Sequence, residues 1–441
     1  MPILSQECEQ PRTYKEEKQS MLKQDESRIN LRFWHHCVIF LFACVILISR
    51  RPDAIFHIQP YAEDGHVWYA DAYNLGWWPS LFHTWTGYFL TLPRLAASLS
   101  LLAPFYLFPL ILNLIAIFFQ ALPVNLLLST RSSGWGDLRF RGLLAFAYLA
   151  LPNCGEMSRG ITLVNFLIAL SALLLLVAHV PQTNAGRIAD FCIVLLFGLS
   201  GPFCIFMLPI SIYLAWTRRE SWRWVQVGVV AASCLIQIFA LLFLAPTARA
   251  HRALGASAAL FARILAGQVY LGALLGSNNL ASLPATGVSI FLICVAIGGS
   301  ALVIWCLLKA PLPIRIFILF SGMVFFSSLI APVEWARPDV PVWRVLAWTG
   351  MHRYWFFPSL AFVWCLLWCF QRQNSLLKIA SGGLLVVMCF GVIHGWRHQA
   401  FPDVHFAESA RRFEAAPAGT VVIIPENPPG WNMRLVKRGT Q

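Results

Sequence analysis

The chain has 441 residues, 58% of them hydrophobic and only 12% charged, with a mean hydropathy of +0.65 and a formal net charge of +13. A composition this apolar excludes a soluble globular protein, because many of its apolar runs approach the ~20 residues that cross a bilayer. The basic residues sit at the ends of those runs, so the net charge points to membrane topology and anionic lipid, not to nucleic acid.

Residues 1–32 balance acidic against basic side chains and read as a disordered, cytoplasmic tail. The first apolar run, 33–49, follows that polar segment and has no small-residue cleavage site after it, so it reads as a span and not as a cleaved signal. The expected fold is all-α, a polytopic membrane helix bundle of about eleven transmembrane helices occupying residues 33–395. The runs are 33–49, 104–128, 141–152, 161–179, 188–201, 203–216, 224–244, 286–308, 312–331, 355–370 and 376–394. Residues 50–103 form a loop rich in aromatics, with two juxtamembrane helices expected near 66–77 and 86–101. Residues 245–285 read as a loop. The polar tail, 396–441, is expected to hold a short helix over 402–414 and a strand, "GTVVIIP". Most of the twelve cysteines lie inside apolar runs and no CxxC pair occurs, so they read as small core residues.

With a cytoplasmic N-terminus, the short loops at 129–140, 181–187, 217–223, 309–315 and 371–378 are cytoplasmic, and each carries Arg or Lys. The long loops and the C-terminal tail then face outward. Those outer loops are also basic, through Arg50, Arg51, Arg94, Arg159, Arg249, Arg252, Arg263, Arg337, Arg344 and Arg353, and hold no lysine between residues 50 and 400. Arginine without lysine suits planar, bidentate contact with phosphate or carboxylate, although long loops escape the charge rule and arginines snorkel.

Outer carboxylates are fewer. "YAEDGHVWYADAY" sets Glu63 beside Asp64, and neighbouring side chains on a helix diverge by about 100°. One should therefore face a cavity while the other serves the helix; Asp64 is a plausible N-cap, yet it is also the preferred base. Trp68 and Tyr69 follow, as interfacial anchors or as surfaces for a sugar ring. Glu156, in "NCGEMSRG", either orients a substrate or pairs with Arg159 three residues on, and Asn165 lies just beyond.

A first span, an acidic outer loop and two juxtamembrane helices resemble the GT-C superfamily of integral-membrane glycosyltransferases. "LPRLAA", "LPNCGEMSRGITLVNF", "LSGPF" and "MHRYWFFPSL" are similar in kind to stretches in such enzymes. The chain is also similar to bacterial membrane proteins whose first loop carries "AEDG", a group that supplies no reaction of its own. The resemblance implies a bacterial inner (cytoplasmic) membrane and an inverting transfer from a polyprenyl-phosphate-linked sugar to a cell-surface glycan or lipid acceptor. It implies Asp64 or Glu63 as base, Arg353 and Tyr354 with Arg94, Arg249 and Arg252 at the donor phosphate, and Glu156, Asn165, Trp68 and Tyr69 at the acceptor. Arginines can hold a monophosphate leaving group, so no cofactor is expected and a divalent metal is optional. The tail is too short for the large outer domain of an oligosaccharyltransferase. Two rival readings are a lipid-linked polysaccharide polymerase or ligase, which favours a large late loop, and a lipid-linked sugar flippase, which favours charged or broken mid-membrane helices. An outer-face acyltransferase, needing a histidine inside the membrane, ranks last.

Overall fold

The computed structural model describes residues 32–244, 253–276, 290–332, 339–348, 352–372 and 374–439. The expected tail 1–32, except Arg32, and both Arg249 and Arg252 lie outside the described residues. The protein is predominantly helical, and eight of its described helices are long and apolar enough to cross a membrane.

Helix α1 (Phe33–Arg50) leads into the loop that holds α2 (Thr91–Ser100). The bundle continues with α3 (Phe108–Leu128), α4 (Leu138–Ala150), α5 (Val164–Val177), α6 (Asn184–Gly198), α7 (Phe203–Arg218) and α8 (Ser221–Phe239). Next come α9 (Ala258–Leu275), α10 (Ile290–Lys309), α11 (Leu312–Ile330), α12 (His352–Phe370) and α13 (Ser375–His394). All fourteen residues of α5 are buried, as expected of a helix apolar on every side and surrounded by others. Being short, α5 ends inside the protein, and its last carbonyls need donors. Arg223 supplies them at Leu176 (2.7 Å) and Ala178 (2.8 Å), and Arg218 at Val177 (2.7 Å). Arg131 and Asp190 form a bidentate pair beside them (2.9 and 2.6 Å). The arginines of the short loops thus close helix ends, where a cation also meets the negative end of the helix dipole.

Helix α9 corrects the reading of 245–285 as a loop. Its polar side chains are accommodated by the following segment: Arg263 lies over the Trp348 ring (3.0 Å), and Gln268 donates to the Ala347 carbonyl (3.3 Å). Both ends of α9 meet the same end of the bundle. Before it, the Ala253 and Leu254 carbonyls accept from Val342 and Trp343 (3.1 and 2.9 Å). Toward its close, Asn153 donates to the Gln268 carbonyl (3.0 Å).

The C-terminal segment adds α14 (Phe406–Ala415) and an antiparallel pair, β1 (Val421–Glu426) and β2 (Trp431–Val436), in register Val421 with Val436 to Glu426 with Trp431. The hairpin lies outside the helical bundle, and β1 falls on the strand expected in "GTVVIIP". β2 escapes the sequence because "WNMRLV" mixes Asn and Arg into a short apolar run, while burial falls only on Met433 and Leu435. The segment folds back onto the first loop instead of hanging free. Phe406 and Phe413 pack against Phe105, Ala62 donates to the Asn427 carbonyl, and Asn427 donates to that of Pro60.

Candidate functional site

The acidic pair divides as its geometry requires. Glu63 sits at the head of a wide π-type turn, Asp64–Tyr69, and no side-chain bond caps that turn, so Asp64 is not the N-cap expected of it. The Asp64 carboxylate is 3% exposed and points into the protein. There it accepts from the Ile161 amide (3.2 Å), the Thr162 amide (3.1 Å) and the Thr162 hydroxyl (2.7 Å). The same hydroxyl accepts from the Trp68 indole (3.1 Å). Gly160, at φ +139°, makes this approach possible: a Cβ there would stand 2.0 Å from Asp64 Oδ2. Burial pushes the Asp64 pKa up to about 8, while the Thr162 hydroxyl and the Ile161 amide pull it down. Asp64 therefore fastens the first loop to the α4–α5 connection.

Glu63 faces the other way, into a cavity of about 310 Å³. Among the described residues its carboxylate forms no hydrogen bond or ion pair. Glu156, Arg159, Asn165, Arg353 and Tyr354 also line the cavity, and Phe166, Phe203, Phe206 and Val324 extend it among the helices. Glu156 pairs with Arg353 instead of Arg159, and also accepts from the Arg353 amide (3.0 Å). The spacing argument fails because Gly155–Ser158 is a single 3-10 turn, so Arg159 swings to the Tyr61 hydroxyl (3.2 Å). The Arg353 guanidinium lies over the Tyr354 ring (5.0 Å).

Other expected residues are placed elsewhere. Arg94 is 1% exposed, pairs with Asp71 (2.9 Å) and stacks on Trp68 (5.1 Å), so it braces the wall and does not line the cavity. Tyr69 stacks on Phe108 (4.1 Å) in the core and is no acceptor surface. Arg50 closes the end of α4 through the Leu149 and Leu151 carbonyls. Trp68 belongs to the wall, and Asn165 is 5% exposed with an Oδ1 that has no hydrogen-bond partner among the described residues. Sequence reasoning missed Trp85, Tyr88, Pro428 and Trp431, which also line the cavity. Only the hairpin-forming "NPPGW" around Trp431 carried a local signal. No group of three or more His, Cys, Asp or Glu side chains among the described residues suits a metal ion.

The C-terminal hairpin is tied to the first loop by His66 Nδ1 and Glu426 Oε1 (2.8 Å), the glutamate being fully buried. Gly65 leaves the space for it, since a Cβ would meet Glu426 Oε2 at 2.0 Å. Burial pulls the His66 pKa down, but the bond and charge of Glu426 overcome this and leave it raised. Burial raises that of Glu426, against the pull of His66. Both groups thus bind protons more tightly when folded, so docking contributes most at acidic pH. That contribution fades as pH rises from the ordinary carboxylate value of 4.5 to above the ordinary imidazole value of 6.5. Amide exchange at Ala62 and Asn427, corrected for intrinsic rate, should be slower at pH 6 than at pH 9. Equal protection at both pH values would refute the tie.

No family model, no curated protein and no solved structure matches this chain. The fold and the cavity define it as a helical membrane protein with a largely apolar cavity that carries a few charged side chains.

Proposed function

We propose that the protein is an integral-membrane glycosyltransferase of the GT-C type, moving a sugar from a polyprenyl-phosphate-linked donor to a glycan or lipid acceptor. The observation that carries this reading is one cavity lined by a carboxylate, Glu63, without a partner among the described residues, by two arginines, Arg159 and Arg353, and by an apolar extension among the helices. Such a cavity suits an amphiphile with an anionic head. Glu63 takes the proton of the acceptor hydroxyl as its oxygen attacks the anomeric carbon. The bond from that carbon to the phosphate oxygen breaks, and the arginines stabilise the charge left on the phosphate. Glu156 holds Arg353 in place, and Asn165 offers a free acceptor for a substrate hydroxyl. Asp64, the base preferred from sequence, yields that role to Glu63.

The same reading gives eleven crossings, with the N-terminus cytoplasmic and the cavity on the outer face of a bacterial inner membrane. In support, residues 51–107 and the C-terminal segment pack together, and α9 begins and ends among loops of that same end. On this reading α9, though long enough to cross, is not one of the crossings.

Binding of undecaprenyl phosphate to the protein in nanodiscs tests the donor site. Arg353→Gln should weaken it about 10- to 100-fold, as loss of a charge-assisted contact does, and Arg353→Lys should weaken it less. Unchanged affinity in Arg353→Gln would remove the phosphate role.

A further inference from the structure

Two indoles of the cavity have no part in the chemistry above. Trp85 comes from the first loop and Trp431 from the first position of β2. The His66 ring is roughly perpendicular to both, 4.9 Å from Trp431 at 71° and 6.1 Å from Trp85 at 77°. Trp85 in turn meets the fully buried Trp68 edge-on at 6.3 Å. Trp431 is held from two sides, by its strand pairing with Glu426 and by the bond of Glu426 to His66. Yet Trp431 is 40% exposed, so a rigidly placed indole offers surface to the cavity mouth. Ala62, next to Glu63, is bonded directly to the hairpin at Asn427. The indoles and the carboxylate therefore form one unit, whereas Glu156 and Arg353 come from the helix loops opposite.

We propose that Trp431, with Trp85, is a stacking platform for a pyranose ring of the acceptor, making the C-terminal hairpin a specificity element of the site. A pyranose fits because its axial C–H groups pack on an indole face while its equatorial hydroxyls stay at the rim of the cavity that Glu63 also lines. A flat, apolar platform beside a carboxylate suits a neutral sugar and not a second phosphate. The word acceptor rests on the transferase reading; the platform itself does not.

The test uses the full chain in a sugar-free zwitterionic detergent. The probes are soluble oligosaccharides of glucose, galactose, mannose and N-acetylglucosamine, followed by tryptophan emission and by saturation-transfer NMR. At least one probe should bind the wild type with saturation of its ring C–H protons. Trp431→Ala should weaken that binding about tenfold, the scale of one aromatic contact. Trp431→Phe should restore most of it, and Trp77→Ala, on the exposed rim of the first loop, should leave it unchanged. Absence of binding by every probe, or equal binding by wild type and Trp431→Ala, would overturn the platform. Sugar binding through Trp431 in a protein that transfers nothing would leave the platform standing and sink the transferase reading. Transfer that ignores Trp431 would do the reverse.

Discussion

Glu63→Gln should abolish sugar transfer, by about 10²- to 10⁴-fold in turnover, while the protein keeps its thermal stability and its affinity for undecaprenyl phosphate. The glutamine is nearly isosteric, and the native carboxylate forms no bond among the described residues that the amide could break. Only proton transfer is lost. Glu63→Asp should fall between the two, because withdrawing the carboxylate by one methylene spoils its reach to the acceptor hydroxyl. The decisive comparison is with Asp64→Asn. Asp64 accepts three hydrogen bonds, two of them from backbone amides, and an asparagine turns an N–H group toward one of these donors. Its loss should appear first as a lower melting temperature. Wild-type turnover in Glu63→Gln, together with loss of turnover at unchanged stability in Asp64→Asn, would return the base to Asp64.

Gly160→Ala should be among the most damaging single-atom additions in the chain. The added methyl must occupy space held by Asp64 Oδ2, and the residue would keep a φ of +139° that side chains rarely adopt. Backbone strain costs about 1–3 kcal/mol, and displacing the carboxylate leaves buried donors at Ile161 and Thr162 unpaired at about 1–3 kcal/mol more. The expected sum is a loss of about 2–6 kcal/mol, seen as a fall in detergent melting temperature. Thr162→Val should do part of the same damage by removing the hydroxyl shared between Asp64 and Trp68. A Gly160→Ala protein as stable as the wild type would show that the first loop does not depend on this contact.

Hydropathy located most of the helices within a few residues, because a bilayer imposes length and composition on anything that crosses it. The reading missed α9 although Ala258–Leu275 has a mean hydropathy of 1.6, because Arg263, Gln268, Gly267 and Gly272 interrupt it; the partners of Arg263 and Gln268, at Trp348 and Ala347, are about eighty residues away in sequence. Glu63 and Asp64 were legible as a pair that must diverge. Which one faced the cavity was not, since the answer lies with Gly160–Thr162, nearly a hundred positions on. Arg94 and Tyr69 looked like site residues by type and neighbourhood, and Asp71 and Phe108 claimed them. Trp431 could not have been assigned to a site near residue 63 before the chain was seen to return on itself.

That return has a consequence for how the protein is made. Residues 421–436 leave the ribosome after α13, the last of the described membrane helices, yet they supply the Glu426 tie to His66 and two side chains of the cavity wall. A chain halted near residue 395 would carry the helices and Glu63 but an unfinished pocket. If the cavity is the transferase site proposed above, competence is acquired late in synthesis, and an inserted nascent chain stays idle until residues 421–436 have folded back to close the pocket.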